Sequence, residues 1–298
     1  MINNRKNKLK IKEIESRWGI GFSMPALTYI IIFLLLPLIF TVFLSFCEWK
    51  GFYLKDVKFI GIENYLNLFK DKVFIKALFQ TSIYVVLKVI FLNILGLLIA
   101  LIIDTNLPGT NFLKSVIFIP VLLSPIIIGV MYSKMFSAFG LINQMLEYFH
   151  LIKAPIMWLG SPKITLYTII GATIWQSVGF NSILYYAGLQ GIPKELIEAA
   201  KVDGATYFKI VLKITLPMLN PVITIAVVLN LIEGFKVFDI VYVMTRGGPN
   251  HASEVLATYL YQQAFSLNHF GYASTIAVIV LFLCIIFSIL RFKISKET

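Results

Sequence analysis

Six long apolar stretches constrain this 298-residue chain more than any other feature. A helix needs about 20 apolar residues to cross a hydrocarbon core of roughly 30 Å, and each stretch is long enough. Irregular backbone cannot face lipid and no alternating strand pattern is present, so we predict an all-α polytopic membrane protein with six transmembrane helices. The predicted spans are Phe22–Phe46, Val73–Ile103, Phe112–Tyr132, Ile164–Leu189, Ile214–Val243 and Tyr272–Phe292.

Composition excludes an ordinary soluble enzyme. The chain is 58% hydrophobic and 14% charged, whereas soluble domains are about 45–50% apolar and about 25% charged. The net charge of +11 comes largely from basic residues between the apolar runs, where lipid headgroups are their natural partners. The pattern of basic patches with stacking aromatics that nucleic-acid binding requires is missing.

Cysteine and histidine usage indicates neither a disulfide framework nor a metal site. The two cysteines, Cys47 and Cys284, lie at or within apolar segments. The three histidines, His150, His251 and His269, are too widely scattered for metal-ligand spacing.

The first apolar stretch follows a basic segment, as in a signal peptide. Its apolar core is longer than a signal sequence needs, and no small-residue cleavage site precedes Glu48 and Trp49, so we predict an uncleaved span. Six spans put both termini on one side, and that side carries the slightly larger number of Lys and Arg residues, 13 against 11. The excess favours cytoplasmic termini, with residues 1–21 and 293–298 as tails around a six-span domain at 22–292.

Residues 190–217, between the fourth and fifth spans, contain a short segment that is too polar to cross a membrane. Pro193 suits a first helical turn, Glu195 and Glu198 complement its positive end, and Gly204 suits the C-cap. The resulting helix of about eleven residues is too short to be stable alone, so it must dock against something. One reading is an amphipathic helix on the membrane surface.

This loop resembles the signature of bacterial ABC importer permeases, which is Glu-Ala-Ala, three residues, Gly, nine residues and Ile-x-Leu-Pro. The corresponding residues are Glu198-Ala199-Ala200, Gly204, Ile214 and Leu216-Pro217. Further positions resemble the carbohydrate-uptake branch of that family. They are Gly61–Tyr65, Ala187–Pro193, Phe238-Asp239, Thr245–Pro249, Glu254, Tyr261 and Ala264-Phe265.

The resemblance implies a coupling helix that inserts into a cytoplasmic ATPase subunit. Its contact residues would be Glu198, Ala199, Ala200, Asp203 and Gly204. The chain has no phosphate-binding loop of the form Gly-x-x-x-x-Gly-Lys-Ser/Thr. Hydrolysis would therefore occur on a separate polypeptide that binds ATP and Mg, and this chain would bind no cofactor and would not be an enzyme.

The same resemblance implies the other partners and the cellular location. The chain would sit in the cell membrane, pair with a second, homologous permease subunit on an ATPase dimer, and receive sugar from an extracytoplasmic solute-binding protein. The external loop with Gly247, Gly248 and Pro249 is the predicted docking surface for that protein.

Polar groups deep in a span usually face a bundle interior or a water-filled path. In the fourth span Gln176, Ser177 and Phe180 project within about 100° of arc, with Asn181 one turn beyond Ser177. In the fifth span, helical spacing predicts Glu233, Lys236 and Asp239 on one side. It predicts Phe235, Phe238 and Tyr242 on the other.

By resemblance, the sugar-contacting positions fall near Gln176, Ser177, Phe180, Glu233, Gly234 and Asp239. Alternatively, Glu233 and Lys236 form a structural ion pair at i,i+3. Lys88, in the middle of the second span, either pairs with a carboxylate elsewhere, faces the partner subunit, or snorkels from a span that starts later.

Other functions fit less well. A secondary transporter needs no docking helix and usually shows internal hydropathy symmetry, which is not apparent. A receptor or structural membrane protein leaves the matched motif unexplained. An importer of phosphate, an amino acid or a polyamine stays open, and the sugar cannot be named from the sequence.

Overall fold

The computed structural model describes residues 23–105 and 108–297, so the predicted N-terminal tail (1–21) lies outside the described residues. The predicted all-α class is confirmed, with one small addition: β1 (Cys47–Glu48) pairs antiparallel with β2 (Lys58–Phe59). The helices are α1 (Ser23–Leu44), α2 (Glu63–Lys70), α3 (Lys72–Asp104), α4 (Thr110–Leu122), α5 (Pro125–Met135), α6 (Leu141–Tyr148), α7 (Thr165–Gln190), α8 (Lys194–Val202), α9 (Tyr207–Phe235), α10 (Asp239–Thr245), α11 (Leu256–Tyr261) and α12 (Phe270–Glu297).

Four helices, α1, α3, α9 and α12, are long and apolar enough to cross a membrane, and the bent pair α4–α5 brings the number to five if it is one span. The 26-residue α7 is long enough but too polar to join them, since it carries Gln176, Asn181 and several hydroxyl groups. The predicted number of six spans therefore stays a prediction. The predicted C-terminal tail is the end of α12, which runs to Glu297.

The predicted third span is broken, not continuous. Helices α4 and α5 meet at an angle of 96°, with Leu123 and Ser124 in extended conformation. Pro125 causes this, because its ring pushes the preceding residue out of the helical region. Ser124 then caps α5 by accepting a hydrogen bond from the amide of Ile127 at 3.3 Å.

The predicted fifth span is also broken. Helix α9 ends at Phe235, and α10 begins at Asp239 after Phe238, whose φ is −136° and ψ −63°. No proline marks this break. The local signal is Asp239 itself, a carboxylate in the first turn of α10, where it complements the positive end of a new helix.

Two transmembrane helices widen to π-helical turns immediately before a Leu-Pro pair. The amide of Leu36 donates to the carbonyl of Ile31, and the amide of Leu216 to that of Val211. Proline at 37 and 217 has no amide hydrogen and its ring displaces the carbonyl four residues earlier, so the helix opens at that turn. The second π turn joins the 190–217 loop to the rest of α9.

Helices α3 and α7 pack along most of their length and form the centre of the bundle. Glycine permits this: a side chain at Gly96 on α3 would press on Asn181 of α7. On the other face of α7, a side chain at Gly179 would collide with the carbonyl of Ile117 on α4. The close approach brings the polar residues of α3, α4 and α7 together.

The bundle has two ends, which we name after the ends of α3. At the Asp104 end, Gln190 of α7 donates to Asp104 at 2.7 Å, so the 190–217 loop lies there. At the Asp71 end, Lys76 donates to the carbonyl of Asn250 at 2.7 Å, so the 245–270 segment lies at the opposite end.

Both described chain ends lie at the Asp104 end. Helix α1 reaches the Asp71 end at its C-terminus, where Thr275, near the start of α12, donates to the carbonyl of Ser45 at 3.1 Å. The beginning of α1 and the end of α12 therefore point the other way, toward the 190–217 loop.

Candidate functional site

A polar cavity of about 440 Å³ lies inside the bundle, where the two helix breaks face α3 and α7. Irregular backbone at membrane depth is tolerated only where it is buried in protein or lines a water-filled cavity. The lining residues are Tyr84, Lys88, Val121, Leu123, Pro125, Thr173, Gln176, Ser177, Phe180, Asn181, Asn230, Glu233, Lys236, Val237, Phe238, Asp239 and Ile240.

Gln176 satisfies the backbone at the first break. Its side-chain amide donates to the carbonyl of Leu123 at 3.0 Å, one of the groups that the bend frees at the end of α4. The side chain is thus both part of the cavity wall and a brace between α7 and the broken third span.

Two more polar pairs cross between helices at the cavity. Asn230 of α9 donates to the amide oxygen of Asn181 on α7 at 2.8 Å, and both residues are buried. The Tyr84 hydroxyl on α3 donates to Thr173 on α7 at 3.0 Å. Buried polar groups are costly unless they find such partners, and these pairs fix the relative positions of three helices.

The cavity also contains an ion pair between α3 and α9. The ammonium of Lys88 lies 3.1 Å from Oε2 of Glu233; 5% of the Lys88 side chain is exposed against 61% of the Glu233 side chain. Lys88 therefore pairs with a distant carboxylate from the middle of a helix that starts at Lys72, and it does not snorkel. The alternative ion pair of Glu233 with Lys236 is wrong, since both lie exposed and unpaired with each other among the described residues.

The structure brings together six of the seven residues predicted for the substrate pathway. Gly234 is the exception: it is buried with its Cα against Val85 of α3, where it permits close packing. The six that line the cavity are Gln176, Ser177, Phe180, Asn181, Glu233 and Asp239. Whether they contact a substrate stays a prediction.

The predicted aromatic side of the fifth span does not exist, because the break resets the helical phase. Phe235 is buried and stacks on Phe287 of α12, with ring centroids 5.5 Å apart. Phe238 and Tyr242 instead stack on each other at 5.0 Å and both contact Tyr261. Of these, only Phe238 reaches the cavity.

Sequence reasoning missed Tyr84, Thr173 and Asn230 as cavity residues and left Lys88 undecided. Asn230 could have been found, because it is an amide in the apolar interior of α9 and follows the same rule that identified Gln176. Tyr84 and Thr173 carry no such signal, since both residue types are common in transmembrane helices.

At the Asp104 end, α8 has no fully buried residue; Ile197 packs on the cluster that contains Leu189 and Ile192, and most of the other residues are exposed. It begins one residue later than predicted, with Pro193 as N-cap, and ends in a Schellman motif. The amide of Gly204 donates to the carbonyl of Lys201 at 3.0 Å and the amide of Ala205 to that of Ala200 at 2.9 Å. Gly204 has a φ of 75°, as its predicted place at the helix end requires.

The predicted coupling residues lie on this exposed helix and its cap. Glu198, Ala199 and Asp203 are exposed, Ala200 is half-buried, and the Glu198 and Asp203 side chains form no hydrogen bond or ion pair within the described ranges. Apolar side chains are exposed as well, with Val202 at 88% and Leu196 at 45%. This surface therefore presents both unpaired charged side chains and exposed apolar side chains.

At the Asp71 end, the 245–270 segment is folded tightly around Glu254, which is 3% exposed. Its carboxylate accepts a hydrogen bond from Thr258 at 2.5 Å and lies 2.9 Å from Nδ1 of His251. A side chain at Gly247, where φ is 84°, would collide with this carboxylate. Of the predicted docking residues, Gly247 is thus buried, while Gly248 and Pro249 are half-buried.

Long apolar helices around a polar cavity define the class: an integral membrane protein with a solute-sized space at membrane depth. The family model for the inner membrane component of binding-protein-dependent transport systems matches residues 92–297. The chain belongs to this family.

Similar proteins cover nearly the whole chain. A probable ABC transporter permease, YurN, of Bacillus subtilis is 36% identical over 92% of this chain and 94% of its own length. The trehalose/maltose permease MalF of Thermococcus litoralis is 33% identical over 99% of both chains. The lactose permease LacF of Rhizobium radiobacter is 32% identical over 93% of both. All are named transport permeases and none is named an enzyme.

A solved structure shares the fold. One chain of a bacterial ABC transporter for the import of the acidic polysaccharide alginate has a TM-score of 0.83, with 24% identity, and the match covers 96% of this chain and 98% of that chain. At this identity the likeness shows the fold alone.

Proposed function

We propose that this chain is the permease subunit of an ATP-driven, binding-protein-dependent importer of sugars or oligosaccharides. The observation that carries the proposal is the polar cavity at two helix breaks, joined through α9 to a helix at one end of the bundle whose charged side chains are exposed and unpaired among the described residues. A sugar needs hydroxyl partners and aromatic faces, and the cavity offers carboxylates, amides and Phe180 and Phe238.

In this proposal α8 docks into a cytoplasmic ATPase subunit that binds ATP and Mg. Glu198 supplies polar contacts, Ala199 and Ala200 allow close approach, Asp203 lies at the helix end, and Gly204 makes the turn. Closure of the ATPase dimer moves α8, and the attached spans alternate between inward- and outward-facing states.

The same proposal sets the orientation in the cell membrane. Since α8, the start of α1 and the end of α12 lie at one end of the bundle, docking to a cytoplasmic ATPase places both termini in the cytoplasm. The Asp71 end then faces outward, where Gly247, Gly248 and Pro249 lie near the surface that receives the solute-binding protein. A second, homologous permease subunit completes the pathway. A chain of the same fold occurs in the solved structure of a bacterial alginate ABC transporter in complex with a periplasmic protein. That structure supports such an assembly.

The test is ATPase stimulation in reconstituted vesicles that contain the chain, its second permease subunit, the ATPase and the binding protein. We expect one or more sugars from a glycan panel to stimulate hydrolysis and to accumulate in the vesicles. Stimulation only by phosphate, an amino acid or a polyamine contradicts the sugar assignment. A second measurement tests orientation: a cysteine at Ala199 should react with a membrane-impermeant maleimide only from the cytoplasmic side.

A further inference from the structure

We infer that Lys88 is a positioning residue that holds the Glu233 carboxylate toward the cavity and thereby makes the pathway select uncharged saccharides over acidic ones. This inference rests on the proposed sugar-import function and assigns a role to the ion pair between α3 and α9.

The two side chains of the ion pair differ strongly in their exposure. Lys88 has 5% of its side chain exposed, while Glu233, 3.1 Å away, has 61% exposed. The ammonium therefore lies behind the carboxylate, and a solute in the cavity meets the carboxylate first. The lysine bonds to Oε2; no described residue donates to Oε1, so that oxygen is open to a hydroxyl donor.

Burial makes this geometry rigid. A charged amine in the middle of a transmembrane helix is costly and stays only where an anionic partner compensates it. Glu233 is the only carboxylate within ion-pair distance of Lys88 in the described ranges, so the lysine cannot release it without remaining buried and unpaired. The carboxylate is thus held in one place instead of turning freely on α9.

The charges around the cavity determine which solutes fit. Four charged residues line it, namely Lys88, Glu233, Lys236 and Asp239, and their formal charges cancel. Glu233, Lys236 and Asp239 are exposed and Lys88 is buried, so the surface that a solute meets has two carboxylates and one ammonium. Carboxylates accept hydrogen bonds from sugar hydroxyls, whereas a uronate brings a like charge close to them.

The decisive experiment exchanges the two residues, Lys88→Glu with Glu233→Lys, in the reconstituted complex with its ATPase, second permease and binding protein. The exchange keeps an ion pair between α3 and α9 but presents an ammonium to the cavity. We expect assembly to be retained, with the ratio of neutral-saccharide to acidic-saccharide uptake lowered about ten- to hundredfold, because a uronate then meets an ammonium instead of a like charge. A ratio within twofold of that of the native protein would show a purely structural pair and overturn the inference.

A second variant covers failure of the exchanged protein to assemble. Lys88→Gln with Glu233→Gln keeps two side chains able to bond but removes both charges, and we expect a loss of about tenfold in neutral-sugar uptake. Native uptake in this variant overturns the inference. The matched control is Lys114→Met, because Lys114 lies over the ring of Tyr186 at 4.2 Å and outside the cavity; it should transport normally.

The native complex supplies the last arm, with maltotriose, lactose and arabinotriose as neutral probes and an alginate trisaccharide as the acidic probe. Stimulation by a neutral probe but not by the acidic one supports the inference. Equal or better transport of the acidic probe overturns it and leaves sugar import intact. If no saccharide of a wider panel stimulates the ATPase activity and another solute does, the proposed function is overturned instead.

Discussion

In the cavity, the polar side chains of α3, α7 and α9 bond to one another; on α8, the charged side chains bond to nothing within the described ranges. Asn181 pairs with Asn230 and Lys88 with Glu233, while Glu198 and Val202 stand exposed. The contrast separates two kinds of polar site. One is completed by the chain itself, and the other would be completed by the ATPase subunit of the proposed function, so substitutions in the two regions should fail in different assays.

The largest expected effect is on α8. Glu198→Ala should weaken binding of the ATPase subunit about a hundredfold, because charge-assisted hydrogen bonds across an interface are lost, and ATP-coupled uptake should fall with it. The thermal unfolding of the isolated chain should not change, since the Glu198 side chain forms no hydrogen bond or ion pair in residues 23–105 and 108–297. Co-purification and vesicle uptake measure the first effect.

The matched control is Glu147→Ala, an exposed glutamate on the short helix α6 near the opposite end of the bundle. It should leave ATPase binding unchanged. Native uptake and native ATPase binding in Glu198→Ala would refute the coupling assignment.

Substitutions in the cavity should instead lower the stability of the chain itself. Asn230→Leu should lower the free energy of unfolding by about 1–3 kcal/mol, because it leaves the buried amide of Asn181 without its partner. Replacing both asparagines by leucine should cost less than the sum of the single changes. Denaturation in detergent measures the difference, and strict additivity would mean that the two amides do not interact.

Asp71, at the Asp71 end of the bundle, belongs to a second polar site that the chain completes by itself. Its carboxylate caps α3 through the amides of Val73 and Phe74 and accepts hydrogen bonds from Tyr259 and Tyr272. Burial acts to raise the pKa of Asp71, but these hydrogen bonds outweigh it and hold the pKa below its ordinary value of 3.8. Asp71→Ala should therefore lower the free energy of unfolding by about 1 kcal/mol at neutral pH.

The pH dependence has a definite sign. A lowered folded-state pKa means that the ionised carboxylate stabilises the fold above pH 3.8 and that the contribution is lost as the pH falls through the lowered value. The difference between the native chain and Asp71→Ala should therefore be constant near neutral pH and shrink in acid. A difference that grows in acid would contradict the assigned network.

The smallest expected effect on the chain itself is that of Val202→Ser. This side chain is 88% exposed, so the free energy of unfolding should change by less than about 0.5 kcal/mol. Binding of the ATPase should still weaken about threefold, because an apolar contact is lost at the interface. A substantial loss of stability would show that the Val202 side chain itself packs on the bundle.

The sequence predicted most of the helices because long apolar runs have few alternatives in a membrane. It also located the cap at Gly204, where only a residue tolerant of positive φ fits. The break before Asp239 could not be predicted from the sequence, since no proline or glycine pair marks the place. The bend at Ser124 was readable from Pro125, because proline disfavours the helical conformation of the residue before it.

Candidate cavity residues were predictable where a polar side chain lies deep in an apolar run, as Gln176 and Asn181 do. The pairing of cavity residues was not predictable. Lys88 and Glu233, for example, are 145 positions apart and meet only because α3 packs on α9. Gly234 shows the converse error. It is adjacent to a cavity residue in sequence, but its side of α9 packs on Val85.

Helix α9 runs from Tyr207, within the 190–217 loop, to the cavity, over 29 residues that include one π-helical turn, or about 43 Å. Such a rod is a lever arm: a tilt of about 10° about one end displaces the other by about 7 Å over that length. A displacement of that size exceeds the reach of the 3.1 Å ion pair at Glu233. A modest rotation imposed at the loop therefore suffices to rebuild the wall of the cavity.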